Sequence, residues 1–343
     1  LHASGKLQTL AYKYDLERNL RTKDYAGFQL LGLNDYSGQG TALVGVLNVH
    51  WKEKGYCDAK DWTEFCSPIV PLAKFPRFVF SSENKVQVPV ELYNAYHEPL
   101  QNAEVTYEVK DEKQQVLASG KLGKSSLPGN SFADNQNSLP VGKNIGLGNV
   151  SLDFPHLHIP SPSQLVLEIQ VKSSNAPVAR NHWDFWVYPS QIEMPNSKAL
   201  KDIYIADSLD AKAQFLFPNV NLVLSTQKNK AQVMNLREFP KDYQPAIQPI
   251  DTWHVSRKLG MMIEAKVGRG KLLMTTMDVT SDLEHRLVAN QMRYAILKYM
   301  MSDDFQPAME VDKQVIENLF TKSAPAVNMF TNDSPDELKP KLK

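Results

Sequence analysis

Lys85-Val86-Gln87-Val88-Pro89-Val90-Glu91-Leu92 sets an apolar side chain at every second position. A period of two puts Val86, Val88, Val90 and Leu92 on one face of an extended chain and Gln87, Pro89 and Glu91 on the other, the mark of a half-buried strand. The alternation returns at Val105, Tyr107 and Val109, at Val150, Leu152 and Phe154, and at Leu165, Leu167, Ile169 and Val171. Trp183-Asp184-Phe185-Trp186-Val187-Tyr188 closes the series, with Trp183 and Phe185 on one face and Trp186 on the other. Short strands separated by turn signals predict a β-sandwich over residues 76–190. Aromatics on a sandwich strand are usually core, so at least one of Trp183 and Trp186 is expected to be buried. Lys124–Lys143, rich in Ser, Asn and Gly and without periodicity, reads as an exposed loop.

Toward the N-terminus the period lengthens. Leu7, Leu10, Ala11 and Tyr14 recur at i, i+3, i+4, i+7, which predicts a helix buried on that face, with Glu17 and Arg21 as a surface pair. Phe28-Gln29-Leu30-Leu31-Gly32-Leu33 is a nearly continuous apolar run that suits a strand buried on both faces, as in a parallel sheet or barrel. A polar, glycine-rich loop follows, Asn34-Asp35-Tyr36-Ser37-Gly38-Gln39-Gly40, and Thr41–Leu47 reads as a second element. Trp51, Trp62, Phe65 and Pro68, Pro71 and Pro76 mark a packed connection and a domain boundary.

Beyond residue 190 the pattern is mixed. Ile203–Ala206 and Val220–Leu224 read as short strands, Leu259–Met277 as a hairpin turning at Gly268-Arg269-Gly270, and Leu283–Met301 as an amphipathic helix. Strands with a closing helix indicate a small α/β domain over residues 191–306, and residues 307–343 form a polar C-terminal extension.

The chain has 343 residues, enough for two or three domains. Its 38 basic and 38 acidic side chains cancel, which argues against a nucleic-acid or membrane-surface binder. No apolar run reaches the roughly 20 residues of a membrane span. Two cysteines, Cys57 and Cys66, exclude a disulfide-rich scaffold and a four-cysteine zinc site, and their spacing leaves a single bridge open. Leu1-His2-Ala3-Ser4-Gly5 has neither a basic nor an apolar signal region and no initiator Met, so the sequence reads as a segment of a longer precursor.

Few residues suggest chemistry. Asn34, Asp35 and Gln39 sit on a loop after a barrel-like strand, where sugar hydroxyls are recognised in barrels; a simple turn is the competing reading. Asp153, His156 and His158 resemble a metal cluster, but on an extended chain Asp153 lies on the opposite face from the two histidines, so no metal site is expected. Gly268-Arg269-Gly270-Lys271 lacks the earlier glycine and the following Ser or Thr of a phosphate loop. A glycosidase needs two acids about 5–10 Å apart. Glu17, Glu53 and Glu64 are the only glutamates in the first 75 residues, and none stands at a strand end. No catalytic residue and no cofactor is therefore assigned.

Several stretches resemble one family. Ala3–Gln8 and above all Gly27–Gly45 are similar to the end of the catalytic barrel in glycoside hydrolase family 2 proteins of gut Bacteroidetes, often described as β-galactosidase-like or sugar-binding-domain proteins. Phe65–Leu72 looks like the segment leaving that barrel, and His182–Pro189 like the last strand of the immunoglobulin-like domain behind it. Glu264–Leu273 and Arg286–Met300 resemble the C-terminal α/β domain of the glutamine-amidotransferase type. The resemblance implies a multi-domain chain: a (β/α)8-barrel C-terminal remnant at 1–75, an immunoglobulin-like β-sandwich at 76–190 and a small α/β glutamine-amidotransferase-like domain at 191–306. It also implies that the catalytic glutamates of the retaining glycosidase lie before Leu1, and that Asn34, Asp35 and Gln39 bind substrate. The expected partners are an oligo- or polysaccharide and the remainder of the parent barrel, and the expected location is periplasmic or secreted. A stand-alone carbohydrate-binding module, and a structural spacer that positions the barrel or builds a homo-oligomer, are the alternatives.

Overall fold

The computed structural model describes residues 2–38, 43–123, 138–206, 233–251 and 256–322. The chain divides into two compact units, Leu1–Gln191 and Ile192–Lys343. In the first, helix α1 (His2–Arg21) and helix α2 (Ala59–Phe65) precede a sandwich of eight strands: β1 (Ile69–Ala73), β2 (Val79–Ser81), β3 (Lys85–Asn94), β4 (Glu104–Asp111), β5 (Val116–Leu122), β6 (Gly142–Asp153), β7 (Ser163–Lys172) and β8 (Ala179–Tyr188). A short helix, α3 (Phe154–Leu157), follows β6.

One sheet runs β1-β3-β6 and the other β2-β8-β7-β4-β5. All pairs are antiparallel except β2 with β8. Val86, Val88, Val90 and Leu92 of β3 face inward, as the period of two predicts. They meet Leu165, Leu167, Ile169 and Val171 of β7 and Trp183, Phe185 and Val187 of β8 in one core. Trp183 is 3% exposed and Trp186, on the opposite face, 37%. Pro71 is tolerated because β1 is an edge strand, and Pro89 lies just past the last β1 pairing, where its ring displaces no ladder donor on that side.

Strand β2 covers β8 only from Trp186 to Tyr188. The remaining edge of β8 is met by helices, with Lys13 and Glu17 of α1 and Glu64 of α2 bonding to Asn181, His182 and Trp183. Covering an edge with helices satisfies side chains there and blocks pairing with another chain. α1 buries Gly5, Leu16, Glu17 and Leu20, and Leu20 packs on Val70 and Leu72 of β1. The expected face is thus displaced: Leu7 and Leu10 are exposed, and Tyr14 is engaged only through an edge contact with Phe78 at 5.5 Å. Position 17 explains the displacement, since a glutamate reads as outward in a sequence pattern and is here the most deeply held residue of the helix.

The barrel strand expected over Phe28–Leu33 is absent. These residues form no strand, Leu31 is fully exposed, and a single parallel bridge joins Asn34 to Leu47. A doubly buried parallel strand needs partners at both edges, and the described residues supply none. No barrel is therefore shown, and the molecule is β-rich with few helices.

The second unit carries β9 (Met234–Asn235) paired with β10 (Leu259–Gly260), and the hairpin β11 (Met262–Val267) with β12 (Gly270–Thr275). Helices α4 (Leu287–Met301) and α5 (Lys313–Thr321) follow. Gly268 takes φ +57° at the first central position of the two-residue turn, where glycine is required. The core gathers Met234, Leu236, Phe239, Tyr243, Ile263, Ala265, Val311 and Ile316. Ile203–Ala206 is not a strand, and Val220–Leu224 lies outside the described residues. The sheets seen are two-stranded and antiparallel, so the expected α/β sheet is not shown among the described residues.

Candidate functional site

The loop singled out by the sequence is held from within. Asp35 is buried, and its Oδ1 accepts from the Gly45 N–H at 3.0 Å and from Lys54 Nζ at 2.7 Å. Lys54 Nζ also donates to the Gly45 carbonyl at 2.7 Å, and the Tyr56 hydroxyl bonds the same carbonyl and Gln8 Oε1. A Cβ at Gly45 would collide with the backbone of Asn34 and Asp35, so only glycine permits this approach. Gly5 of α1 is likewise pressed against the Tyr56 ring. Burial, followed by the Asp35 charge, pushes the Tyr56 phenol above its ordinary range. Asn34 is half-buried and donates to the Asp35 carbonyl at 3.0 Å. Gln39 lies outside the described residues.

A second cluster escaped sequence reasoning. Glu17 is 1% exposed, and its carboxylate accepts from Trp183 Nε1 at 3.0 Å, Asn181 Nδ2 at 2.9 Å and Lys13 Nζ at 2.6 Å. Asn181 Nδ2 also donates to the Pro71 carbonyl at 2.9 Å, and Lys13 Nζ donates to Asn181 Oδ1. The same ammonium lies 4.9 Å from the Trp183 ring centroid and 5.6 Å from that of Phe65. Beside it Glu64 is buried, with Oε2 2.5 Å from His182 Nδ1 and Oε1 3.7 Å from Arg180 Nε. Hydrogen bonding to Glu64 raises the His182 pKa, and burial opposes the shift. Three donors converge on Glu17, and Glu64 is held by His182 with Arg180 nearby, an arrangement that fastens helices to a sheet. The one prior signal was the i,i+4 spacing of Lys13 with Glu17, which is also the spacing of an ordinary surface pair.

The remaining candidates disperse. Asp153 pairs with Lys85 at 2.8 Å, and its ligand atoms do not converge with those of His156 and His158. Among the described residues three metal-ligating groups converge only at Asp282, Glu284 and His285, all exposed. Cys57 and Cys66 are free, and burial pushes both thiols up, away from thiolate chemistry. In the second unit, Tyr299 donates to Glu264 Oε2 at 2.7 Å and its phenol is pushed up to about 12 by that carboxylate. Asp278 is held at about 2, chiefly by the Ser281 N–H.

Two family models match parts of the chain, each described as a domain of unknown function: DUF8488 over residues 84–189 and DUF8487 over residues 178–321. No curated protein matches it. Among solved structures, β-glucuronidase from Parabacteroides merdae is 17% identical with a TM-score of 0.24, over 35% of this chain and 14% of its own. For β-glucuronidase 2 from Bacteroides uniformis the values are 11% and 0.21, over 35% of this chain and 12% of its own. The periplasmic chaperone SfaE is 10% identical with a TM-score of 0.23, over 38% of this chain and 61% of its own. The chain therefore spans about an eighth of the length of the glucuronidases it is similar to, and similarities this low carry no functional argument. No helix among the described residues is long and apolar enough to cross a membrane.

Proposed function

We propose that the chain is a C-terminal accessory region of a carbohydrate-degrading hydrolase of the glycoside hydrolase family 2 type, and that residues 1–75 complete a catalytic barrel supplied by the rest of the parent protein. One observation carries the reading. The segment is anchored by buried polar contacts, yet it presents Leu7, Leu10, Phe28, Leu31, Tyr36 and Leu43 to solvent. Exposed apolar side chains crowded into one short segment mark a surface meant to be covered. The Gly27–Gly45 resemblance names the cover, the remaining strands and helices of the barrel. On this reading Asn34 and Gln39 contact sugar hydroxyls and Asp35 shapes the loop through Lys54 and Gly45. The second unit is an amidotransferase-like scaffold without a thiol nucleophile, since no cysteine follows Cys66. The parent is periplasmic or secreted and acts on an oligo- or polysaccharide.

The test is hydrolysis of a panel of 4-nitrophenyl glycosides by this chain alone and by the chain preceded by its native upstream coding sequence. Turnover is expected only from the longer protein. Turnover by the chain alone that disappears when one of its own carboxylates is replaced would sink the proposal, as would an inert longer protein. A stand-alone sugar-binding role finds support in Trp186, which stands exposed on the outer sheet face beside Gln164 of β7. Binding to a glycan array that Trp186→Ala abolishes would favour that second reading.

A further inference from the structure

Helix α2 has only seven residues, too short to persist by its own backbone bonds. Phe65, its C-terminal residue, is buried, and the charged part of its hold on the sandwich is the neighbouring Glu64. The Glu64 carboxylate is buried against two cationic groups of one strand, His182 at 2.5 Å and Arg180 at 3.7 Å. His182 and Arg180 are two residues apart on β8, so they project from the same sheet face, and Glu64 of α2 reaches both. One of the two cations is permanent and the other is the side chain that changes charge near neutrality. We propose that Glu64, His182 and Arg180 form a proton-operated latch that fastens α2 to β8 in mild acid and slackens it in mild alkali. This goes beyond the glycosidase reading and does not depend on it.

Other charges surround His182. From α1, Lys13 opposes protonation of the imidazole, and that lysine is itself committed to Glu17. On β8, Asp184 favours protonation. On β7, Glu168 lies opposite His182 in register and is paired with Lys110 at 3.1 Å. Glu64 remains the dominant influence and raises the imidazole above its ordinary value. The sign follows. A group whose folded pKa is raised contributes stability that is complete below the unfolded value and is lost as pH climbs through the folded one. Neutral His182 still donates from Nδ1 in one tautomer and Arg180 stays charged, so the latch slackens and does not release.

Hydrogen exchange in the intact chain reads this directly. Protection of the amides from Thr63 to Cys66, corrected for intrinsic rates, is compared with that of β7 between about pH 5 and about pH 8. In the wild type, α2 is expected to lose more protection than β7 as pH rises. His182→Gln should abolish this dependence, and His182→Arg should keep α2 protected at the alkaline end. Protection of α2 that tracks β7 at every pH, or the same alkaline loss in His182→Gln, overturns the latch. Should a variant not fold, titration of the His182 ring by NMR in the wild type decides. A midpoint at or below that of an ordinary imidazole overturns the proposal, and a midpoint above it supports it.

Discussion

Glu17 shows how much one side chain can settle. A carboxylate at this depth is tolerable only because Trp183, Asn181 and Lys13 all donate to it. Glu17→Ala strands the Trp183 indole N–H and leaves the Lys13 ammonium without its carboxylate, and removing one partner of a buried pair costs about 3–5 kcal/mol. Glu17→Gln keeps the shape and one acceptor, so it should cost clearly less. Urea unfolding of the two variants checks the order, and a loss below about 1 kcal/mol for Glu17→Ala would show the network to be no stronger than a surface pair. Asp35 obeys the same rule inside its loop. Asp35→Ala leaves Lys54 without its carboxylate, with the two side chains only 13% and 7% exposed. A loss of about 3 kcal/mol is expected, where a solvent-facing, substrate-contacting Asp35 would cost almost nothing in the chain alone. Thermal unfolding of Asp35→Ala separates the two roles.

At the scale of elements, the two faces of α1 make opposite predictions. Leu16 and Leu20 are buried at 3% and 5%, so each Leu→Ala change should cost about 2–5 kcal/mol. Leu7 and Leu10 are 64% and 47% exposed, and their Ala variants should stay within about 0.5 kcal/mol of wild type. Equal losses on both faces would contradict the packing of α1 on β1. The sandwich was legible because a half-buried strand writes its two faces into alternate residues, and β3, β7 and β8 do so without interruption. The helix was legible as a helix but not by its face, because buried Glu17 is satisfied by partners about 165 positions away in sequence. Phe28–Leu33 misled for a related reason. An apolar run states that a segment needs cover, and what provides the cover is decided elsewhere. The Glu64–His182 contact, 118 positions apart, leaves no local trace either.

For the whole molecule, each unit carries its own core: the sandwich cluster with the α1 contacts in the first, and the Met234–Ile316 cluster in the second. Leu7, Leu10, Phe28, Leu31, Tyr36 and Leu43 are the exception, exposed side chains that belong to neither core. Leu31 is the extreme case, a fully exposed leucine in a chain with no net charge to keep copies apart. Such a face should associate with copies of itself when nothing else covers it. The chain alone is therefore expected to self-associate at high concentration in sedimentation velocity. Leu31→Glu adds charge at a fully exposed position and loses no packing, so the unfolding midpoint should hold while the association weakens. On the proposed reading a barrel would cover Leu31 in a longer protein, and there the same substitution should lower stability by burying an unpaired charge. If Leu31→Glu leaves both the association of the chain and the stability of the longer protein unchanged, the face is solvated in both and the barrel does not rest on it.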